Sequence, residues 1–172
     1  MKSARCLFLS FVATAASALA QRGAPALPAT LLDKPFHVGD DTNKEMASPK
    51  PNGPKFTGKF ALPDNVKVGL TTVVYVNIRV GGLIPAADKH YDKEFKKGQM
   101  LTKLFVNGME VAVLNKLMHG ADAVSNVQKL QVKVESSFLR AGVNELEIRP
   151  GATANNADDF ELHEVTVSAT PQ

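Results

Sequence analysis

From residue 56 onward the chain alternates apolar and polar positions with a period of two, the signature of half-buried strands. Phe56 to Leu62 sets Phe56, Gly58, Phe60 and Leu62 against Thr57, Lys59 and Ala61. Thr72 to Val80 places Val74, Val76, Ile78 and Val80 on one face and Tyr75, Asn77 and Arg79 on the other. Val127 to Glu135 turns Leu130, Val132 and Val134 inward against Lys129, Gln131, Lys133 and Glu135. Leu101 to Leu114 carries Asn107-Gly108 between two apolar runs. That dipeptide tolerates the positive φ of a type I′ turn, so a hairpin is predicted there. Val143 to Ile148 and Asp159 to Val167 complete the set. In the last of these, Phe160 and Leu162 share one parity while Val165 and Val167 take the other. A bulge near His163-Glu164 is predicted, since a one-residue slip would otherwise expose one pair.

Six or more strands with polar turns and no long amphipathic helix predict an all-β protein, an antiparallel β-sandwich formed as one domain over residues 56–170. Residues 21–55 read differently. Pro25, Pro28, Pro35, Pro49, Pro51 and Pro54 interrupt them, and no period is sustained, so a disordered Pro-rich segment is expected. A sharper alternative makes it a partner-binding arm anchored by Phe36 and His37.

The N-terminus changes the picture of where the protein works. Lys2 and Arg5 precede a short apolar run from Cys6 to Ala16, and Ala18-Leu19-Ala20 gives a small-x-small cleavage pattern. Residues 1–20 read as a signal peptide, so a secreted, extracellular protein is expected, with no membrane insertion. Two of the 20 Lys and Arg residues fall within that leader, leaving 18 against 17 acidic residues. A nearly neutral chain argues against nucleic acid as a partner. The single cysteine, Cys6, also lies in the leader, so the fold is expected to rest on its core without disulfides.

The passage Ser137-Phe138-Leu139-Arg140-Ala141-Gly142-Val143-Asn144-Glu145-Leu146-Glu147-Ile148 resembles the L-x-x-G-x-N-x-L-x-I turn and strand of galactose-binding-like jelly rolls. The Phe105–Val111 hairpin and the ending Asn156–Leu162 are similar to the same fold. Its relatives in style are non-catalytic carbohydrate-binding modules and the C-terminal sandwich of rhamnogalacturonan lyases. The resemblance implies a jelly roll that binds a ligand, often a sugar, through end loops or a sheet face, with a structural Ca²⁺ common between loops. The chain departs from sugar binders in having no Trp. Tyr75 and Tyr91 are the amphipathic plates left to stack on a pyranose ring.

Four groups of residues are candidates. Tyr75, Asn77 and Arg79 offer a plate, an amide and a guanidinium that suits a carboxylate, although polar-out alternation is also what any solvated sheet face shows. Asn155 and Asn156 lie in a loop that, by the resemblance, reaches the ligand; a plain polar connection reads the same way. Asp158, Asp159 and Glu161, with Glu164 beyond, supply carboxylates for Ca²⁺, but Asp159, Glu161 and His163 also fit an outward, solvated strand face. Lys89 to Lys97, containing Tyr91 and Phe95, forms a lid or partner surface, or one short helix over Phe95.

No Gly-x-Ser-x-Gly elbow, His-Glu-x-x-His helix or mature cysteine nucleophile occurs, so a non-enzymatic protein is expected. Two functions follow: a secreted module binding an extracellular or cell-wall carbohydrate, or a secreted effector or inhibitor binding an extracellular protein. Oligomeric state is not legible.

Overall fold

The computed structural model describes residues 24–63, 68–69, 71–120, 123–154 and 156–172. The leader read at residues 1–20 lies outside them. Among the described residues nine strands are present: β1 Ala29–Leu32, β2 Phe36–Val38, β3 Phe56–Leu62, β4 Val73–Gly81, β5 Lys103–Val106, β6 Met109–Val113, β7 Gln128–Glu135, β8 Gly142–Arg149 and β9 Phe160–Ser168. They form two antiparallel sheets, ordered β1-β9-β4-β7 with β2 also on β9, and β3-β8-β5-β6.

The pairing is nested. β1 and β2 lie along β9, β3 along β8, β4 along β7 and β5 along β6, as if one long hairpin had been rolled up. With β1 and β2 taken as two halves of one first strand, this is the eight-stranded order of a jelly roll. The inward rows meet between the sheets. Val74, Val76, Ile78 and Val80 of β4 face Leu104, Val106, Leu146 and Ile148 of the other sheet's strands, and all eight are buried. Each such side chain contributes about 1.5–3 kcal/mol by leaving water.

Turn chemistry fixes the register of the β5–β6 hairpin. Asn107 and Gly108 have φ of 53° and 81°, as a type I′ turn demands. The Asn107 amide also donates to Asn144 Oδ1 and to the Phe138 carbonyl, both at 2.8 Å. Asn144 is itself buried and bonds to Arg140 N, Arg140 O and Gly142 O. The Gly-x-Asn passage therefore shapes a turn. The β9 bulge falls where parity required it: Arg79 pairs with Glu164 and Val80 with Leu162, leaving His163 as the extra residue. Val165 and Val167 return to the core with no exposed surface.

The Pro-rich segment departs from expectation. Far from being disordered, residues 24–55 fold along β9 and close one edge of the sandwich. Period two is absent because side chains, rather than long ladders, satisfy much of the backbone. Asn52 Oδ1 accepts from His37 N at 2.7 Å and from Ser48 Oγ at 2.8 Å. Phe36 stacks edge-on against Phe56, with centroids 5.6 Å apart, and His37 is fully buried. Both residues are anchors, but to this chain's own sheet. No helix among the described residues is long and apolar enough to cross a membrane.

Candidate functional site

The outward side chains of β7, β4 and β9 line up in three cross-strand rows. Lys133, Tyr75 and Ser168 form one row, Gln131, Asn77 and Thr166 the next, and Lys129, Arg79 and Glu164 the third. Neighbouring strands lie about 4.8 Å apart and alternate residues about 6.7 Å along a strand, so the nine side chains tile roughly 10 by 13 Å. The middle row is a chain of amides: Gln131 Nε2 donates to Asn77 Oδ1 at 2.8 Å, and Asn77 Nδ2 donates to Ser168 Oγ at 3.3 Å. A cavity of about 280 Å³ opens over this region, lined by Asn77, Arg79, Lys129, Gln131, Glu164 and the terminal Gln172, among others. Gln172 reaches it by accepting from Gln131 Nε2 at 3.2 Å through its main-chain oxygen.

The charges on this platform are loosely committed. Arg79 Nη1 lies 3.9 Å from Glu164, beyond hydrogen-bond distance, and both side chains are nearly half exposed. The exposed Lys129 side chain forms no hydrogen bond or ion pair among the described residues. The outer face of the other sheet is the opposite case. There Glu147 is held by Arg149 and by Lys55 at 3.0 Å, and hydrogen bonding to Arg149 keeps its carboxyl below the usual range. Lys103 pairs with Glu110 at 2.8 Å, and the Arg149 guanidinium sits 4.1 Å above the Phe105 ring. On that face Lys59 and Glu145, opposite each other across β3 and β8, form no ion pair, while Glu147, Arg149, Lys55, Lys103 and Glu110 are closed into pairs.

A second cavity, of about 290 Å³, lies elsewhere, where the loops following β2, β4 and β8 gather. Asp41, Glu45, Tyr91, Asn156, Asp158 and Asp159 are among its lining residues. Tyr91 precedes the one short helix, α1 (Asp92–Lys96), and tilts against Phe95. This agrees with the short-helix reading of Lys89 to Lys97. Asn155 lies outside the described residues, and Asn156 is exposed. The residues read as one ligand set thus divide: Tyr75, Asn77 and Arg79 belong to the platform, Tyr91 and Asn156 to the loop cleft.

The three carboxylates read as a calcium set do not converge. Asp158 is buried, with Oδ2 accepting from Thr102 Oγ1 at 3.1 Å. Burial raises its pKa to about 7, against the hydrogen bonds from Thr102 and Asn115 that lower it. Glu161 is not on a solvated face. It is buried under the Pro-rich segment and accepts from Ser48 N at 2.7 Å and Ala47 N at 3.2 Å. Asp159 Oδ1 accepts from Asp40 N and Asp41 N, both at 3.1 Å, and faces His37 Nε2 at 2.9 Å. His37 Nδ1 faces the Ser48 carbonyl at 3.0 Å, so that nitrogen carries a hydrogen. Gly39, with φ of 151°, permits this turn, because a Cβ there would lie 1.9 Å from Asp159 Oδ1.

Asp40, Asp41 and Asp159 do bring their ligand atoms within 4.8 Å of one another. Even so, Asp159 Oδ1 is occupied by protein donors, and the Asp40 carboxylate accepts from Ala157 N at 3.3 Å. Calcium needs six to eight oxygens free to turn toward it. The Asp40 and Asp159 carboxylates instead tie the Pro-rich segment to the start of β9, and three carboxylates fall short of the oxygens the ion needs.

No family model matches the sequence, and no curated protein matches it. Among solved structures, one similar chain is BpGH86A, described as a beta-porphyranase of glycoside hydrolase family 86 from the human gut bacterium Bacteroides plebeius. The TM-score is 0.36 at 10% identity, over 83% of this chain and 20% of that one. The present chain thus spans about a fifth of that structure's length. At that TM-score the similarity does not bear on function.

Alternation had marked Lys129, Gln131 and Lys133 as outward, but strand order alone brings them beside Tyr75, Asn77 and Arg79. Thr166 and Ser168 were hidden by the phase change that the bulge introduces. The Thr102–Asp158–Asn115 node had no sequence signal, since its members are 56 and 13 residues from Thr102.

Proposed function

We propose that this protein is a non-catalytic carbohydrate-binding β-sandwich that lays a short stretch of glycan across the outer face of β7, β4 and β9. The observation that carries the reading is the central amide row. Asn77 keeps one N–H and one lone pair beyond its bonds to Ser168 and Gln131, and the Gln131 side-chain oxygen remains to accept, the donor and acceptor that sugar hydroxyls require. Tyr75 at one end of the platform gives a ring on which a pyranose face can rest, and it is half-buried, so its plane is held. With the leader read at residues 1–20, binding takes place outside the cell. A protein partner would call for an exposed apolar patch. Among the described residues, the exposed large hydrophobics are Met109, Val127 and Val143.

A glycan array probed with residues 21–172 tests the reading. We expect retention of at least one oligosaccharide and its loss in an Asn77→Ala, Gln131→Ala double variant whose thermal midpoint stays near that of the parent. Equal retention by parent and double variant would remove the platform from the function.

A further inference from the structure

We infer that Arg79 and Lys129 form an anion clamp, and that the glycan the platform takes is acidic. The inference rests on the carbohydrate reading above and narrows its substrate class. Arg79 and Lys129 are directly opposite each other in the β4–β7 register. Like charges directly opposite across antiparallel strands are destabilising, and the ordinary remedy is a carboxylate beside each. Among the described residues, Arg79 has the 3.9 Å approach of Glu164 alone, and no carboxylate lies within ion-pair distance of Lys129. On the other sheet's outer face, Glu147 with Lys55 and Arg149, and Lys103 with Glu110, close to 3.0 Å or less.

A carboxylate or sulfate group placed between the two side chains would relieve the repulsion. The Arg79 fork can take two oxygens at once, and Lys129 supplies a point charge beside it. Lys133, four residues along the same edge strand, is held by Glu135 at 3.4 Å and extends the positive side of the platform. The amide row lies one step away from the clamp along each strand, at the spacing where hydroxyls of the same sugar or the next can reach it. The ligand is therefore an oligosaccharide bearing one anionic group beside several hydroxyls. Lysines on an edge strand also discourage strand addition. That role explains an outward Lys129, but it does not explain pairing it with an arginine.

Calorimetric titration with three oligosaccharides of equal length tests the clamp: an oligogalacturonate, a sulfated galactan fragment and a neutral galactan fragment. Binding of either acidic probe at least about tenfold tighter than the neutral one is expected, weakening as salt rises. The acidic probe that binds identifies carboxylate or sulfate as the anion. Lys129→Glu should lose about tenfold or more of that affinity while raising the thermal midpoint by about 1–2 °C, because it replaces a like pair with an opposite one. If acidic and neutral probes bind equally and Lys129→Glu changes nothing, the clamp is wrong and the glycan platform stands. If no probe binds and the array is also blank, the carbohydrate reading itself is overturned.

Discussion

At the residue scale, most of the polar groups that looked functional are structural ties. Asp158 shows how burial decides this. An aspartate ionises near 3.8 in the unfolded chain, whereas the folded chain holds its proton to about 7. Between those values the folded state binds more protons, so stability falls as pH rises through that window and levels off above it. Asp158→Asn should flatten the profile, and thermal melts at pH 5 and pH 8 check it. An unchanged slope in the variant would place the pH dependence elsewhere. Asn144 is a second tie. Its side chain makes four hydrogen bonds spanning residues 107 to 144, and Asn144→Ala leaves Asn107, Arg140 and Gly142 without that partner. A loss of about 2–3 kcal/mol in denaturant unfolding is expected.

At the scale of elements, strands were legible wherever one face is buried and the other wet. β3, β4, β7 and β8 appear within a residue or two of where alternation put them, because pleating forces that pattern. The β5–β6 turn was legible because only a few residues accept positive φ. The bulge at His163 was legible because two parities in one strand cannot both face a core. β1 and β2 were not legible, since each is only three or four residues long and prolines surround them. Their folding depends on partners more than 100 residues away, such as Asp159 for His37, which local pattern cannot contain. Breaking that buried pair by His37→Ala should cost about 3–5 kcal/mol. It should also raise amide exchange across residues 36–52 before the rest of the sheet. Uniform exchange gain throughout the protein would mean that the segment and the sandwich unfold as one unit.

At the scale of the whole molecule, the two outer faces of the sandwich differ in what they leave unsatisfied. One sheet closes Glu147, Arg149, Lys55, Lys103 and Glu110 into short ion pairs. The other holds an amide row, a tyrosine and two facing cations with slack contacts. Sequence alone found one of that platform's three strands, β4, as a candidate site, and also gave the loop residues Tyr91 and Asn156 to ligand binding, because it could not order the strands. The structure separates the platform from the loop cleft, where Asp159 holds the Pro-rich segment and Asp158 accepts from Thr102. The proposed binding surface is accordingly the sheet face rather than the loop end.

Nuclear magnetic resonance titration of the isotopically labelled protein with the oligosaccharide retained on the array, or with oligogalacturonate, tests that claim most directly. The account predicts that amide and side-chain shifts cluster at Tyr75, Asn77, Arg79, Lys129, Gln131 and Thr166. Shifts centred on Tyr91, Asn156 and Asp159, with the platform unmoved, would contradict it.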